Sequence, residues 1–169
     1  MDVGILLLRA TVGLTLAAHG TRKLFGWFGG PGLEKTAQGL ATLGFRPPLG
    51  HAYLVGLAEA AGGALLALGF FTPLAAAVIA AVMIVAAVSA HVKRGFFITS
   101  GGFEYNLVLG VAGLSVAFTG PGAISLDNWL GWSVHGVVWG SAAVLVALAG
   151  AGIQLALRSP EMSQAVPTG

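Results

Sequence analysis

Five long apolar stretches, at roughly residues 3–20, 52–71, 73–92, 105–120 and 137–157, take up most of this chain. A hydrocarbon core about 30 Å thick needs about 20 mostly apolar residues per crossing helix. The fourth stretch is short, and the second and third are separated only by the Thr72-Pro73 corner, which makes them an antiparallel hairpin. With 56% hydrophobic and 8% charged residues among 169, the chain cannot cover itself with a water-compatible surface. The expected fold is all-α, a polytopic transmembrane helix bundle in one domain over residues 1–157. The remaining segment, 158–169, is polar, contains two prolines and is expected to be disordered.

The first stretch is read as a permanent helix rather than a signal peptide. Asp2 stands where a basic n-region is required, and no small-residue cleavage site precedes a polar sequence. The chain has no cysteine, which excludes disulfides, thiolate nucleophiles and iron–sulfur ligation by its own residues. Charge is distributed unevenly. Arg22, Lys23, Lys35, Arg46, Lys93, Arg94 and Arg158 fall on one side of the bundle, and only Asp2 and Asp127 on the other. The positive-inside rule then puts the basic side in the cytoplasm, the N-terminus outside and the C-terminus inside, in a plasma membrane.

His19, Lys23, Glu59, His91 and Glu104 all belong to the basic half under that topology. Counted from the ends of the apolar runs, Arg9 lies about 11 residues deep and Glu59 about 7, roughly 16 and 11 Å at 1.5 Å per residue. A long arginine spans that difference. Because an unpaired charge at membrane depth costs about 2.5 kcal/mol or more, a buried Arg9–Glu59 ion pair is expected. It has two readings, a fixer of helix register and a proton relay. Gly13 lies one turn from Arg9, and Gly62 and Gly63 one turn from Glu59, so these faces allow close approach of the two backbones.

His19 and His91, on different helices at similar depth, fit three roles: neutral interfacial side chains, donors to a quinone carbonyl, or haem or metal ligands. No haem-attachment motif or further ligand set accompanies them, and no metal site is expected. His51 and His135 sit at helix starts, at the interface. The loop GWFGGPG, 26–32, has neither the spacing nor the preceding strand of a phosphate loop. With Phe25, Trp27 and Phe28 it reads as a segment hugging or re-entering the bundle mouth, or as part of an aromatic belt. In the loop 91–106, Glu104 either caps a helix start or pairs with Lys23 or Lys93. The outer loop 121–136 reads as interfacial, and Gly136 and Gly140 form a GxxxG suited to tight helix contact or homo-oligomerisation.

Several of these motifs occur together in an ordered series. H-G-x-x-K-L-F-G-x-F-G-G-x-G-L runs from His19 to Leu33, A-E-A-A-G-G from Ala58 to Gly63 and T-P-L-A from Thr72 to Ala75. H-x-x-x-G-F-F follows at His91 to Phe97, G-G-F-E-Y-N at Gly101 to Asn106 and T-G-P-G-x-x-S-L-D at Thr119 to Asp127. Over about residues 5 to 128 the series resembles the DoxX family of small bacterial membrane proteins. The resemblance implies a four-helix core, to which this chain adds a fifth C-terminal helix. It also implies association with membrane redox systems. Some members resemble the small subunit of a thiosulfate:quinone oxidoreductase, and others accompany a superoxide dismutase and a sulfurtransferase. It carries over no catalytic residues.

Two readings of function follow, and a third stands behind them. In the first the chain is a redox-associated membrane subunit, with His19, Lys23, His91 and Glu104 as the candidate contacts to a quinone and Glu59, with Arg9, as the candidate proton relay. Its electrons come from a partner or a directly bound reductant, since the chain has neither cysteine nor a cofactor motif. In the second it is a non-enzymatic scaffold that docks soluble redox enzymes on Arg22, Lys93 and Arg94. A small-solute or proton transporter ranks last, for want of an inverted repeat. Lipid is a partner in every case, and nucleic acid in none.

Overall fold

The computed structural model describes residues 2–159, and so the expectation for the terminal tail lies, from residue 160 onward, outside the described residues. Seven α-helices are present among them: α1 (Asp2–Phe25), α2 (Gly32–Thr42), α3 (Pro48–Leu68), α4 (Thr72–Ala86), α5 (Glu104–Thr119), α6 (Leu126–Trp129) and α7 (Val137–Ala156). Four are long and apolar enough to cross a membrane, namely α1, α3, α7 and α4 with its continuation to Arg94, and α5 is a shorter apolar helix. The five expected spans are all helices, and among the described residues there is no strand. The protein is a multi-pass membrane helix bundle.

Helix limits follow local chemistry rather than hydropathy. Nothing in T-R-K-L-F breaks a helix, so α1 continues past its apolar run until Gly26, whose φ of +72° a Cβ would disfavour. Pro48 opens α3, where its missing N–H is no loss. The last turn of α4 widens into a π-turn at Ala87–His91, where the Ser89 hydroxyl donates to the Val85 carbonyl at 2.6 Å.

Between α1 and α3, α2 is a short amphipathic helix. Leu33, Ala37 and Leu40 recur at helical spacing, with Ala37 buried and Glu34, Lys35 and Gln38 exposed. This places a helical roof over the basic end of the bundle, beyond the Gly-rich loop, where the sequence suggests only an interface-hugging segment.

The antiparallel pair α1 and α3 has the most intimate contact in the bundle. A Cβ on Gly13 would lie 2.4 Å from the Gly63 carbonyl oxygen, and one on Gly63 the same distance from the Gly13 carbonyl. One on Gly20 would meet the Ala60 nitrogen at 2.3 Å. Backbone meets backbone at these two levels, the arrangement small residues permit between membrane helices. The expected use of Gly13 and Gly63 is thus observed. Helix α4 lies at the centre, with α3, α5 and α7 packed on it, and the core joins Leu16, Leu66, Ile79 and Val116. Gly140 of the GxxxG pair approaches Phe118 of α5, so its close contact is made within the chain.

At the end of the bundle that carries Asp2, two buried ionic side chains tie the chain. Arg9, 2% exposed, donates from Nε to the Pro121 carbonyl at 3.0 Å and from its two terminal nitrogens to the Ala67 and Ile124 carbonyls. Asp127, fully buried, accepts from the Phe71 and Thr72 amides at 2.8 and 3.0 Å and from the Thr72 hydroxyl at 2.6 Å. A carboxylate 55 residues away in sequence thus caps the N-terminus of α4.

Gly13→Ala is expected to destabilise the detergent-solubilised protein by about 1–3 kcal/mol, because backbone must move to admit the methyl group. Gly152→Ala, where nothing lies within 4 Å of the new atom, should stay within about 0.5 kcal/mol. Denaturant unfolding of both variants checks this, and equal losses would refute the packing account.

Candidate functional site

The glycine contacts set a register with a direct chemical consequence. With Gly13 over Gly63 and Ala67, and Gly20 over Gly56 and Ala60, Arg9 comes level with Gly69 and Glu59 level with His19. A Cβ on Gly69 would indeed lie 3.0 Å from the Arg9 guanidinium. The expected Arg9–Glu59 ion pair is therefore not formed. The depth count behind it began at the ends of the apolar runs, whereas the helices run on to Phe25 and back to Pro48, and the backbone contact fixes a different offset. Arg9 serves the opposite end of the bundle.

Glu59 instead pairs with Lys23, one helical turn beyond His19, and this is the only salt bridge among the described residues. The carboxylate side chain is 5% exposed and the lysine side chain 27%. Both line a cavity of about 570 Å³ whose other walls are nearly all apolar. Helix α4 forms its floor through Val78, Ala81, Val82 and Val85, α2 its roof, α3 one wall and α7, through Gly150 and Gln154, the other. The volume falls in the range of small-molecule sites, and a few polar groups set in an apolar surround are their usual composition.

The other expected contacts lie elsewhere. His19 meets the Tyr105 hydroxyl through Nε2 at 3.3 Å, against α5 rather than in the cavity. His91 Nδ1 bonds the Gly101 carbonyl at 2.7 Å, closing the α4–α5 loop on itself. Glu104 accepts the Ile98 amide at 3.0 Å, a tie to the preceding loop, and does not pair with Lys23 or Lys93. The structure thus brings Lys23 and Glu59 together and leaves His19, His91 and Glu104 outside their site. No three potential ligands among His, Asp and Glu converge among the described residues.

Two features of the site were missed by sequence reasoning. The basic end is latched by Gln154 against His51 Nδ1 and by Arg158, which donates from Nε to the Leu43 carbonyl at 2.8 Å and lies over the Phe45 ring. These contacts join α7 and the residues just after it to the first turn of α3 and to the α2–α3 connection, and have no local sequence signal. The α2 roof had one, the i, i+4, i+7 spacing of Leu33, Ala37 and Leu40.

Comparison with known proteins supplies the lineage. The family model described as DoxX matches residues 4–92, more than half of the chain. The chain belongs to the DoxX family. The matched DoxX segment contains α1 to α4, the Lys23–Glu59 pair and every cavity-lining residue except Gly150 and Gln154. A protein of Bacillus subtilis (strain 168) named "Putative oxidoreductase CatD" is similar as well, 29% identical over 129 residues that make up 76% of this chain and 88% of the relative. No solved structure matches the chain significantly.

Double-mutant cycles test the pairing. Lys23→Met should destabilise by about 3 kcal/mol by leaving a buried carboxylate uncompensated, and Glu59→Gln in the same background should restore most of the loss. Arg9→Met and Glu59→Gln should add within about 0.5 kcal/mol. Coupling between positions 9 and 59 instead would overturn the register.

Proposed function

We propose that this DoxX protein is the membrane-embedded subunit of a quinone-linked redox system, and that the cavity under α2 receives the quinone headgroup against Lys23 and Glu59. The observation that carries the reading is the placement of one buried ion pair in an otherwise apolar cavity of about 570 Å³. A neutral ligand with polar oxygens on an apolar body matches both parts of that surface. The name of the Bacillus subtilis relative points to the same broad class of chemistry.

The roles follow from the groups present. The Lys23 ammonium has three donors and can give one to a quinone carbonyl while another holds Glu59. Reduction of a quinone to a quinol takes up two electrons and two protons. Glu59, nearly withdrawn from water, is placed to hand on a proton in this step, and Lys23, partly exposed at the cavity edge, links it to solvent. The electrons come from a partner, because the chain has no cysteine for thiol chemistry or cluster ligation. The basic side carrying this mouth faces the cytoplasm under the positive-inside rule, and the membrane is the plasma membrane of a bacterium.

A second reading rests on the α4–α5 loop, where Lys93, Arg94, Phe97 and Ile98 are all exposed. Such a surface suits docking of a soluble redox enzyme on a scaffold with no chemistry of its own.

Mass spectrometry of the protein gently extracted from its own membrane separates the two. Quinone at about one per chain, lost in Lys23→Met and Glu59→Gln but kept in His91→Ala, is the expected result. Soluble enzymes recovered with no quinone would replace this reading with the scaffold.

A further inference from the structure

The cavity has a side exit. Helix α3 packs on α1, α2 and α4, and α7 on α4 and α5, so the two walls are held apart by the helix between them. They are tied at the basic end by the bond between Gln154 and His51. One turn deeper the α7 wall is Gly150, and the facing edge of α3 carries the exposed Leu54. Gly150 is at the depth of the ion pair: a Cβ on it would meet Ala81 Cβ at 3.8 Å, and Ala81 lies about one turn from Val78, which in turn packs against Gly62, just beyond Glu59.

Between α3 and α7 the cavity is thus bounded by the Gln154–His51 tie, floored by α4 and lined by Gly150. No atom other than Ala81 Cβ lies within 4 Å of a Cβ placed on Gly150, so the position keeps open a space that almost any other side chain would fill.

We infer that Gly150 is a specificity-determining residue, and that the slot between α3 and α7 carries the apolar tail of a long-chain ligand whose headgroup rests on Lys23 and Glu59. The inference rests on the quinone reading above and narrows its substrate class to quinones bearing a long hydrocarbon tail that remains in the bilayer. Three observations support it. The cavity continues as apolar surface from the ion pair to the slot. At its basic end α7 is tied across to α3 and to the α2–α3 connection by Gln154 to His51 and by Arg158 to Leu43. A tail passing beside Gly150 buries its methylenes against Val78, Ala81 and Leu54 with no hydrogen bond broken.

The test uses the full chain in nanodiscs and two probes with the same benzoquinone ring, one carrying a decyl tail and one without. Wild type is expected to bind both, the decyl form more tightly. Gly150→Phe should weaken the decyl probe by at least about tenfold, while the tailless probe changes less than about twofold. Gly150→Leu should fall between wild type and phenylalanine. Gly150→Ala, whose methyl makes only an ordinary contact, serves as the control for folding alone. Leu148→Phe, on the lipid-facing side of α7, should change neither affinity.

Equal binding of the decyl probe by wild type and Gly150→Phe would overturn the assignment of the slot and leave the quinone reading intact. Loss of both probes in Gly150→Phe, with the alanine variant folded, would put the headgroup rather than the tail beside Gly150 and overturn it as well. Failure of wild type to bind either probe would remove the quinone reading and this inference together.

Discussion

The contact between α1 and α3 decides which polar groups in this protein can meet. Helices in a bilayer gain little from hydrophobic burial against one another, because lipid tails are as apolar as leucine, so their association depends on close packing and on polar ties. Here the packing is backbone on backbone at Gly13 with Gly63 and at Gly20 with Gly56 and Ala60. Neither helix can slide by a turn without driving a side chain into the facing main chain. That single offset puts Arg9 beside the α3–α4 corner and Glu59 within reach of Lys23, and so separates two sets of charges that sequence alone would join.

The two ends of the bundle then differ in how completely their charges are satisfied. Arg9 spends its donors on three carbonyls from two chain segments, with the Asp127 carboxylate as compensating charge, and Asp127 spends its acceptors on the start of α4. At that end the two side chains act as a clasp on the chain. Lys23 and Glu59 share a single bond in a site with space around it. A buried ion pair contributes little or nothing net to stability, since desolvation offsets attraction. Retaining one at the wall of a cavity is easier to understand through what it binds than through what it stabilises.

How far the sequence could be read follows from which contacts are local. The five apolar helices, the hairpin at Thr72-Pro73 and the small-residue faces of α1 and α3 are properties of short windows, and all are found, four of the helices being long enough to cross a membrane. Glu59 stood out as a buried acid because its neighbours Ala58, Ala60, Gly62 and Gly63 leave no doubt that it lies inside a membrane helix. Its partner was misread because long cationic side chains sit on helical turns that hydropathy assigns to loops, and Lys23 and Arg22 extend α1 well past its apolar run. Asp127 looked like an interfacial loop residue, since a cap supplied across 55 positions leaves no mark near either end. The Gln154–His51 latch was hidden for the same reason.

The division between the matched family segment and α7 bears on how the site came to have its shape. Residues 4–92 supply the ion pair, the floor, the roof and one wall of the cavity. Helix α7 packs on α4 and supplies the remaining wall through Gly150 and Gln154. Its alanines, Ala143, Ala147 and Ala151, face inward and are buried, which allows the close approach, while Leu145, Val146 and Leu148 face outward and are exposed. The Lys23–Glu59 pair thus belongs to the part matched by the family, and one wall of its cavity to the helix outside the match. Under the quinone reading, a change on α7 alters which tails enter without disturbing the pair proposed to receive the headgroup.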